Sequence, residues 1–242
     1  MAVNPGLTTT VPAGAPYFRI TSLSFRTPNP ADHVKVVNGQ GAVNSSLGAR
    51  YNYPGAPTIY LAEDLETCLA EKMFYFHREV LRGIDLARFT GVIPPFVQKF
   101  ILWEIEFAQP TPNVFDMNIG GAYSYFGIFP CLTVNPSQDY EHLKASRALV
   151  QNAGYNGLRV QSSRRVGGGN MVVLFHDQSG NVTAITPHEI EFRLITPHGP
   201  PFYNHAHDPL NFLAGEVRVV SAAPPAGGGA YHHSWQVVNY NH

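Results

Sequence analysis

The stretch RYNYPGAPTIYLAEDLETCLAE, Arg50 to Glu71, decides the reading of this chain. An arginine is followed by turn chemistry, Asn52-Tyr53-Pro54-Gly55. The short β-branched run Thr58-Ile59-Tyr60-Leu61-Ala62 then reads as a strand. Glu63 or Asp64 opens a helix, because acidic residues in a first turn favour the positive end of the helix dipole. Leu65, Leu69, Met73, Phe76 and Val80 recur at helical spacing and predict a core-facing stripe, with the helix ending near Arg82-Gly83. One strand-turn-strand-helix unit thus places a cation (Arg50), an aromatic ring (Tyr60) and a carboxylate (Glu71). That combination suits a charged, flat, glycosidic substrate.

Outside this unit, Tyr17–Thr21 (YFRIT) predicts a first strand, and residues 1–16 a flexible arm of Pro, Gly, Thr and Ala. Phe100–Phe107 (FILWEIEF) ends in strict alternation and predicts a strand with one wet face, stopped by Gln109-Pro110-Thr111-Pro112. Tyr140–Asn152 predicts a second helix, with Leu143, Arg147 and Val150 along one side and an exit at Ala153-Gly154. Strands are predicted at Leu158–Ser162, Met171–Phe175 and Glu189–Ile195, with Val217–Val220 as a further candidate. Six to eight strands and two clear helices make the fold class α+β. The domain boundaries follow: an arm over 1–16, a catalytic domain over 17–197, and a Pro/Gly/His-rich extension over 198–242.

Composition narrows the function classes. Hydrophobic residues are 44% of the 242, enough for a sizeable core, and charged residues only 14%. A net charge of −1 provides no basic field for nucleic-acid backbones. No run of 18 apolar residues and no basic-then-apolar leader is visible, so neither a membrane span nor a secretory signal is expected. Cys68 and Cys131 lack the spacing of a metal or disulfide framework, which fits a reducing compartment. His205-Ala206-His207-Asp208 brings two imidazoles and a carboxylate together, but zinc sites want three or four placed ligands, and no metal is expected.

Each candidate residue also has a plainer reading. Arg50 by itself reads first as a surface arginine in a salt bridge; its functional reading is a guanidinium fork on phosphate oxygens. Tyr60 alone is a half-buried strand aromatic; functionally, its ring stacks on a heterocycle or its hydroxyl touches a ribose. Glu71, near the edge of the apolar stripe, reads either as a solvated carboxylate or as a fixed anion stabilising positive charge at an anomeric carbon. Ser162 has no Gly-x-Ser-x-Gly elbow and is not read as a hydrolase nucleophile. Gly167-Gly168-Gly169 precedes a strand, which does not match a phosphate loop opening a helix.

Taken together and in order, these segments resemble the RES domain family, named for its arginine, glutamate and serine. The matching pieces are Tyr17-Phe18-Arg19-Ile20, Gly48-Ala49-Arg50-Tyr51-Asn52 with Pro54-Gly55, Tyr60-Leu61-Ala62-Glu63 and Thr67-Cys68-Leu69-Ala70-Glu71. Farther on come Asn113-Val114-Phe115-Asp116-Met117 and Gly154-Tyr155-Asn156-Gly157-Leu158, running to Ser162-Ser163-Arg164. The resemblance covers residues 17–195. It implies an ADP-ribosyltransferase-like core of two packed, mostly antiparallel sheets with flanking helices around an NAD cleft.

The resemblance implies a toxin that depletes NAD by hydrolysis or phosphorolysis, with an antitoxin or immunity protein as partner and no cofactor beyond NAD as substrate. Arg50 would hold a phosphate or the nicotinamide ribose, Tyr60 would pack on the nicotinamide side, and Glu71 would bind ribose hydroxyls and stabilise an oxocarbenium ion. Ser162 would support the nucleotide by hydrogen bonding, and Tyr51 and Arg164 would complete the binding set. A cytoplasmic site of action is implied; it leaves room for an effector injected by a secretion machine and for a homo-oligomer. The chain departs from the family at Tyr51, where many relatives carry Trp, and at Arg159-Val160-Gln161, where relatives often have Tyr-Pro before the serine. Two rivals stay open. One is a protein-modifying ADP-ribosyltransferase, which would place a second Glu or Gln near Glu71; Glu63 and Glu66 precede it at helix spacings that do not point together, which favours the simple NADase. The other is a non-catalytic nucleotide- or partner-binding domain.

Overall fold

The computed structural model describes residues 2–25, 27–45, 49–72, 97–126, 141–162, 164, 168–195, 214–219 and 233–236. The fold is α+β. Its strands are β1 (Thr8–Val11), β2 (Pro16–Ser22), β3 (Ile59–Ala62), β4 (Val97–Phe107) and β5 (Thr111–Asp116). They continue as β6 (Gly157–Gln161), β7 (Asn170–Leu174), β8 (Val182–Ile195), β9 (Ala214–Val219) and β10 (His233–Gln236). Helix α1 occupies residues 65–72 of the described chain, and α2 spans Glu141–Asn152. The predicted end of α1 at Arg82-Gly83, the His205–Asp208 cluster and Cys131 lie outside the described residues. No helix among the described residues is long and apolar enough to cross a membrane.

The chain divides into two compact units. The first takes Met1–Arg19, Thr27–Glu71 and Glu104–Thr186. Its strands run in the order β1-β5-β6-β7-β3-β2, antiparallel throughout except for the β5–β6 pair. A parallel pair needs a crossover connection, and α2 supplies it between Asp116 and Gly157. Leu143 and Val150 of α2 are fully buried and join Phe115, Tyr155, Leu158, Val160, Val173 and Phe175 in one core. The helix stops where Gly154 takes φ +92°, a left-handed conformation that glycine reaches without steric cost. Gly157 begins β6 because a side chain there would meet the Val173 carbonyl oxygen at 2.6 Å.

The second unit takes Ile20–Arg26, Lys72–Trp103 and Pro187–His242. Its strands follow the order β4-β8-β9-β10, with Phe192 opposite Val217 and Trp235 opposite Gly215 in antiparallel register. The indole N–H of Trp103 donates to Thr21 Oγ1 at 2.7 Å, and the rings of Phe100 and Phe192 sit 4.9 Å apart. The buried indole therefore has the partner that its N–H requires.

Three strands depart from the sequence expectation. Residues 1–16, expected as a flexible arm, carry a 3-10 turn at Pro5–Leu7 capped by Asn4, and then β1, paired with β5. Threonines make this a strand: they are β-branched, and Val11 is buried. β5 itself lies where a stop was expected after Gln109. Pro112 is tolerated there because only Thr8, Thr9 and Val11 of β1 find registered partners, with a shift between Thr9 and Val11. β10 adds a strand within the predicted C-terminal extension.

Candidate active site

Four residues around the quoted stretch form a tight turn: Ala49 N–H donates to the Asn52 carbonyl at 3.1 Å, and Asn52 N–H to the Ala49 carbonyl at 3.3 Å. Arg50 and Tyr51 are its tip. Tyr60, in the middle of β3, pins the turn from below. Its hydroxyl accepts from Tyr51 N–H at 2.9 Å and donates to Asn52 Oδ1 at 2.8 Å. Asn52 is fully buried, so this bond satisfies a polar group that would otherwise be costly to bury. The hydroxyl's one hydrogen is committed to the turn.

Glu71 reaches the same place from α1. Asp64 is the N-cap: its carboxylate accepts from Thr67 N–H and from Thr67 Oγ1, both at 2.8 Å. Leu65, Cys68 and Leu69 are buried beneath, which fixes the rotation of the helix. The Glu71 carboxylate accepts from Ser162 Oγ at 2.7 Å and lies 3.6 Å from Arg50 Nη2. Its side chain is only 12% exposed and that of Arg50 only 8%, so neither is the solvated surface group that its residue type favours. At 3.6 Å the Arg50–Glu71 pair is a charge attraction rather than a hydrogen bond. At an effective dielectric near 20 the gross attraction is on the order of 4 kcal/mol before desolvation.

Ser162 follows β6 and is buried. Its N–H donates to the Gly169 carbonyl at 2.7 Å, and its Oγ accepts from Arg164 N–H at 3.1 Å. The serine hydroxyl is thus oriented by one backbone donor and spends its hydrogen on Glu71. The structure brings Arg50, Glu71 and Ser162 into direct contact. Tyr51 and Tyr60 join through the tip of the turn, and Arg164 through its backbone.

Two further arginines lie within electrostatic reach of Tyr60 and carried no role in the sequence reading. Arg19 donates from Nη1 to the Val36 carbonyl at 2.6 Å. Burial pulls its pKa down, opposed by the nearby Cys68 and Tyr60. An arginine inside the apolar run YFRIT is the signal that marks it. Arg147 is buried in α2, with its guanidinium 4.8 Å from the Phe175 ring centroid and Nη2 donating to the Pro57 carbonyl at 3.2 Å. Burial lowers its pKa as well, again opposed by Tyr60. Its place on an otherwise apolar helix side is legible in the sequence. Its approach to Tyr60 depends on the β5–α2–β6 crossover and is not.

The Glu63 carboxylate faces elsewhere. It accepts two hydrogen bonds from Arg159 and one from Asn170 Nδ2 at 2.9 Å, so it is not a second carboxylate beside Glu71. The site as built is one shielded carboxylate, a serine hydroxyl aimed at it, an aromatic ring and the Arg50 guanidinium. Such a site can hold an anionic ligand and stabilise positive charge developing next to the carboxylate.

Among solved structures, the chain is similar to one from the M. tuberculosis MbcT-MbcA toxin-antitoxin complex. The match has 17% identity and a TM-score of 0.48, and covers 77% of this chain and 93% of that one. No curated protein matches the sequence. The model of the RES domain matches residues 18–196, about three quarters of the chain, and the protein belongs to the RES domain family.

Proposed function

We propose that this protein is an NAD-degrading enzyme that cleaves the nicotinamide–ribose bond. The observation that carries the reading is the Glu71 carboxylate, shielded from water and held by Ser162 and Arg50. Breaking the glycosidic bond sends its electron pair to the pyridinium ring, which leaves as neutral nicotinamide. Positive charge is left on the ribose. A fixed anion stabilises that charge more than it stabilises the ground state, which is the condition for catalysis. Water or phosphate then adds to the anomeric carbon; water loses a proton to give ADP-ribose. The Tyr60 ring packs on the nicotinamide side, Arg50 holds a phosphate or the nicotinamide ribose, and Ser162, Tyr51 and Arg164 complete the binding set.

Glu63 bears on the rival in which a protein is the acceptor. A transferase of this kind places a second carboxylate or amide near the catalytic glutamate; Glu63 is committed to Arg159 and Asn170, and Glu66 is exposed on α1. The small-molecule acceptor is therefore preferred. In this reading the protein is a toxin acting on cytoplasmic NAD and held in check by an antitoxin or immunity protein. Chromatography of NAD incubated with the purified protein tests it, with and without phosphate and beside Glu71→Gln. Nicotinamide released by the unmutated protein alone is expected, and phosphate dependence names the acceptor. No nicotinamide in either buffer would overturn the proposal.

A further inference from the structure

Three of the strands that frame the site meet at a second polar cluster. Arg159, in the middle of β6, donates from Nε and Nη2 to both oxygens of Glu63, the latter at 2.9 Å, and from Nη1 to Asp116 Oδ2 at 2.9 Å. Asn170 Nδ2 adds a bond to Glu63, Asn118 Nδ2 donates to Asn170 Oδ1 at 3.2 Å, and Asn118 N–H donates to Asp116 Oδ1 at 2.9 Å. Leu158 and Val160 belong to the core under α2. Strand alternation puts Arg159 on the other face of the sheet.

We propose that Arg159 is a positioning residue that sets the separation between Glu71 and Ser162 from the far side of the sheet. The inference rests on the proposed NAD chemistry for its kinetic consequence. Its geometric basis is independent. Glu63 immediately precedes Asp64, the N-cap of the helix that carries Glu71. Arg159 stands three residues before Ser162. Each of the two chains is also bonded to the start of β7: Glu63 N–H to the Asn170 carbonyl at 3.1 Å, and Ser162 N–H to the Gly169 carbonyl at 2.7 Å.

The Arg159 fork braces that frame across β7 and ties it to the end of β5. Glu71 lies seven residues beyond Asp64, about 10 Å of helical rise. A small tilt at the cap is therefore enlarged at the carboxylate, and the 2.7 Å Ser162–Glu71 bond tolerates little of it. A planar fork can hold both Glu63 oxygens and Asp116 together; a lysine ammonium cannot reproduce that geometry.

The test is steady-state NAD cleavage by Arg159→Met, Arg159→Lys and Glu63→Gln, each also combined with Ser162→Ala, with a crystal structure of Arg159→Met. A misplaced carboxylate is expected to lower kcat about 10- to 100-fold in Arg159→Met, with a smaller loss in Arg159→Lys. KM should stay within about twofold, since no ligand contact is removed. In the Ser162→Ala background, where the contact is already gone, the further loss should fall below about threefold. The Ser162–Glu71 distance in the crystal should open past hydrogen-bonding range. Undiminished kcat, equal losses in both backgrounds, or an unchanged Ser162–Glu71 distance would overturn the inference. If Arg159→Met does not fold, Arg159→Lys and Glu63→Gln carry the same kinetic and crystallographic comparisons. A wild-type protein that releases no nicotinamide sinks the NAD reading alone, and the crystallographic distance then decides this one.

Discussion

Glu71 is a helical glutamate whose carboxylate faces the protein, next to one hydroxyl and one guanidinium. Replacing it by glutamine keeps the volume and a hydrogen-bond acceptor for Ser162 but removes the charge. If the anion acts on a developing cation, Glu71→Gln loses on the order of 100- to 1000-fold in nicotinamide release, the range for one preorganised electrostatic group. The thermal midpoint should fall, because the buried Arg50 guanidinium loses the attraction of the carboxylate, while the variant still folds and binds NAD. Retained turnover in the folded variant would remove Glu71 from the chemistry. Tyr60→Phe has the opposite profile. The ring stays, while a buried Asn52 oxygen and the Tyr51 N–H lose their partner. Leaving such groups unsatisfied costs about 1–3 kcal/mol. Urea unfolding should register that loss, and KM for NAD should rise as the Arg50 turn loosens. A stability equal to wild type would mean that the turn is held by something else. At this scale the sequence was informative about which residues meet and poor about burial: Arg50 reads as an exposed arginine, and only the turn closing over β3 makes it 7% exposed.

Helix α1 shows what an element contributes. Its start was legible because acidic residues precede an apolar stripe. The capping role belongs to Asp64, while Glu63 turns away to Arg159. Asp64→Ala removes two bonds to Thr67 and should cost about 0.5–2 kcal/mol, read as a lower urea midpoint with an unchanged slope. Because the cap orients the helix carrying Glu71, the kcat of NAD cleavage should fall with it; a stability loss with full activity would separate the cap from the site. β5 shows the limit of local reading. Pro112 and Asn113, the latter at φ +57°, interrupt the pattern, and a proline before a strand reads as a stop. The strand exists because Val114, Phe115 and Asp116 pair in parallel with Gly157, Leu158 and Arg159, contacts more than forty residues away in sequence.

For the molecule as a whole, the N-terminal segment is the sharpest test of how far composition can be trusted. Pro, Gly, Thr and Ala over residues 1–16 suggest a flexible arm. In the structure, Thr8 and Thr9 pair with Phe115 and Val114, Val11 is buried, and Asn4 N–H donates to the Tyr155 hydroxyl at 2.8 Å. Tyr155 in turn belongs to the core beneath α2. Such ties are invisible from the segment alone, because short threonine strands acquire their stability from the edge they cover. β1 is the terminal strand in the order of its unit, so removing it exposes the outer hydrogen-bonding groups of β5, a template for pairing with other chains. A chain lacking residues 2–11 should therefore unfold at lower urea, with a smaller slope because less surface is buried, and should form concentration-dependent oligomers in light scattering. A midpoint, slope and scattering profile identical to those of the full chain would return the segment to the status of an arm.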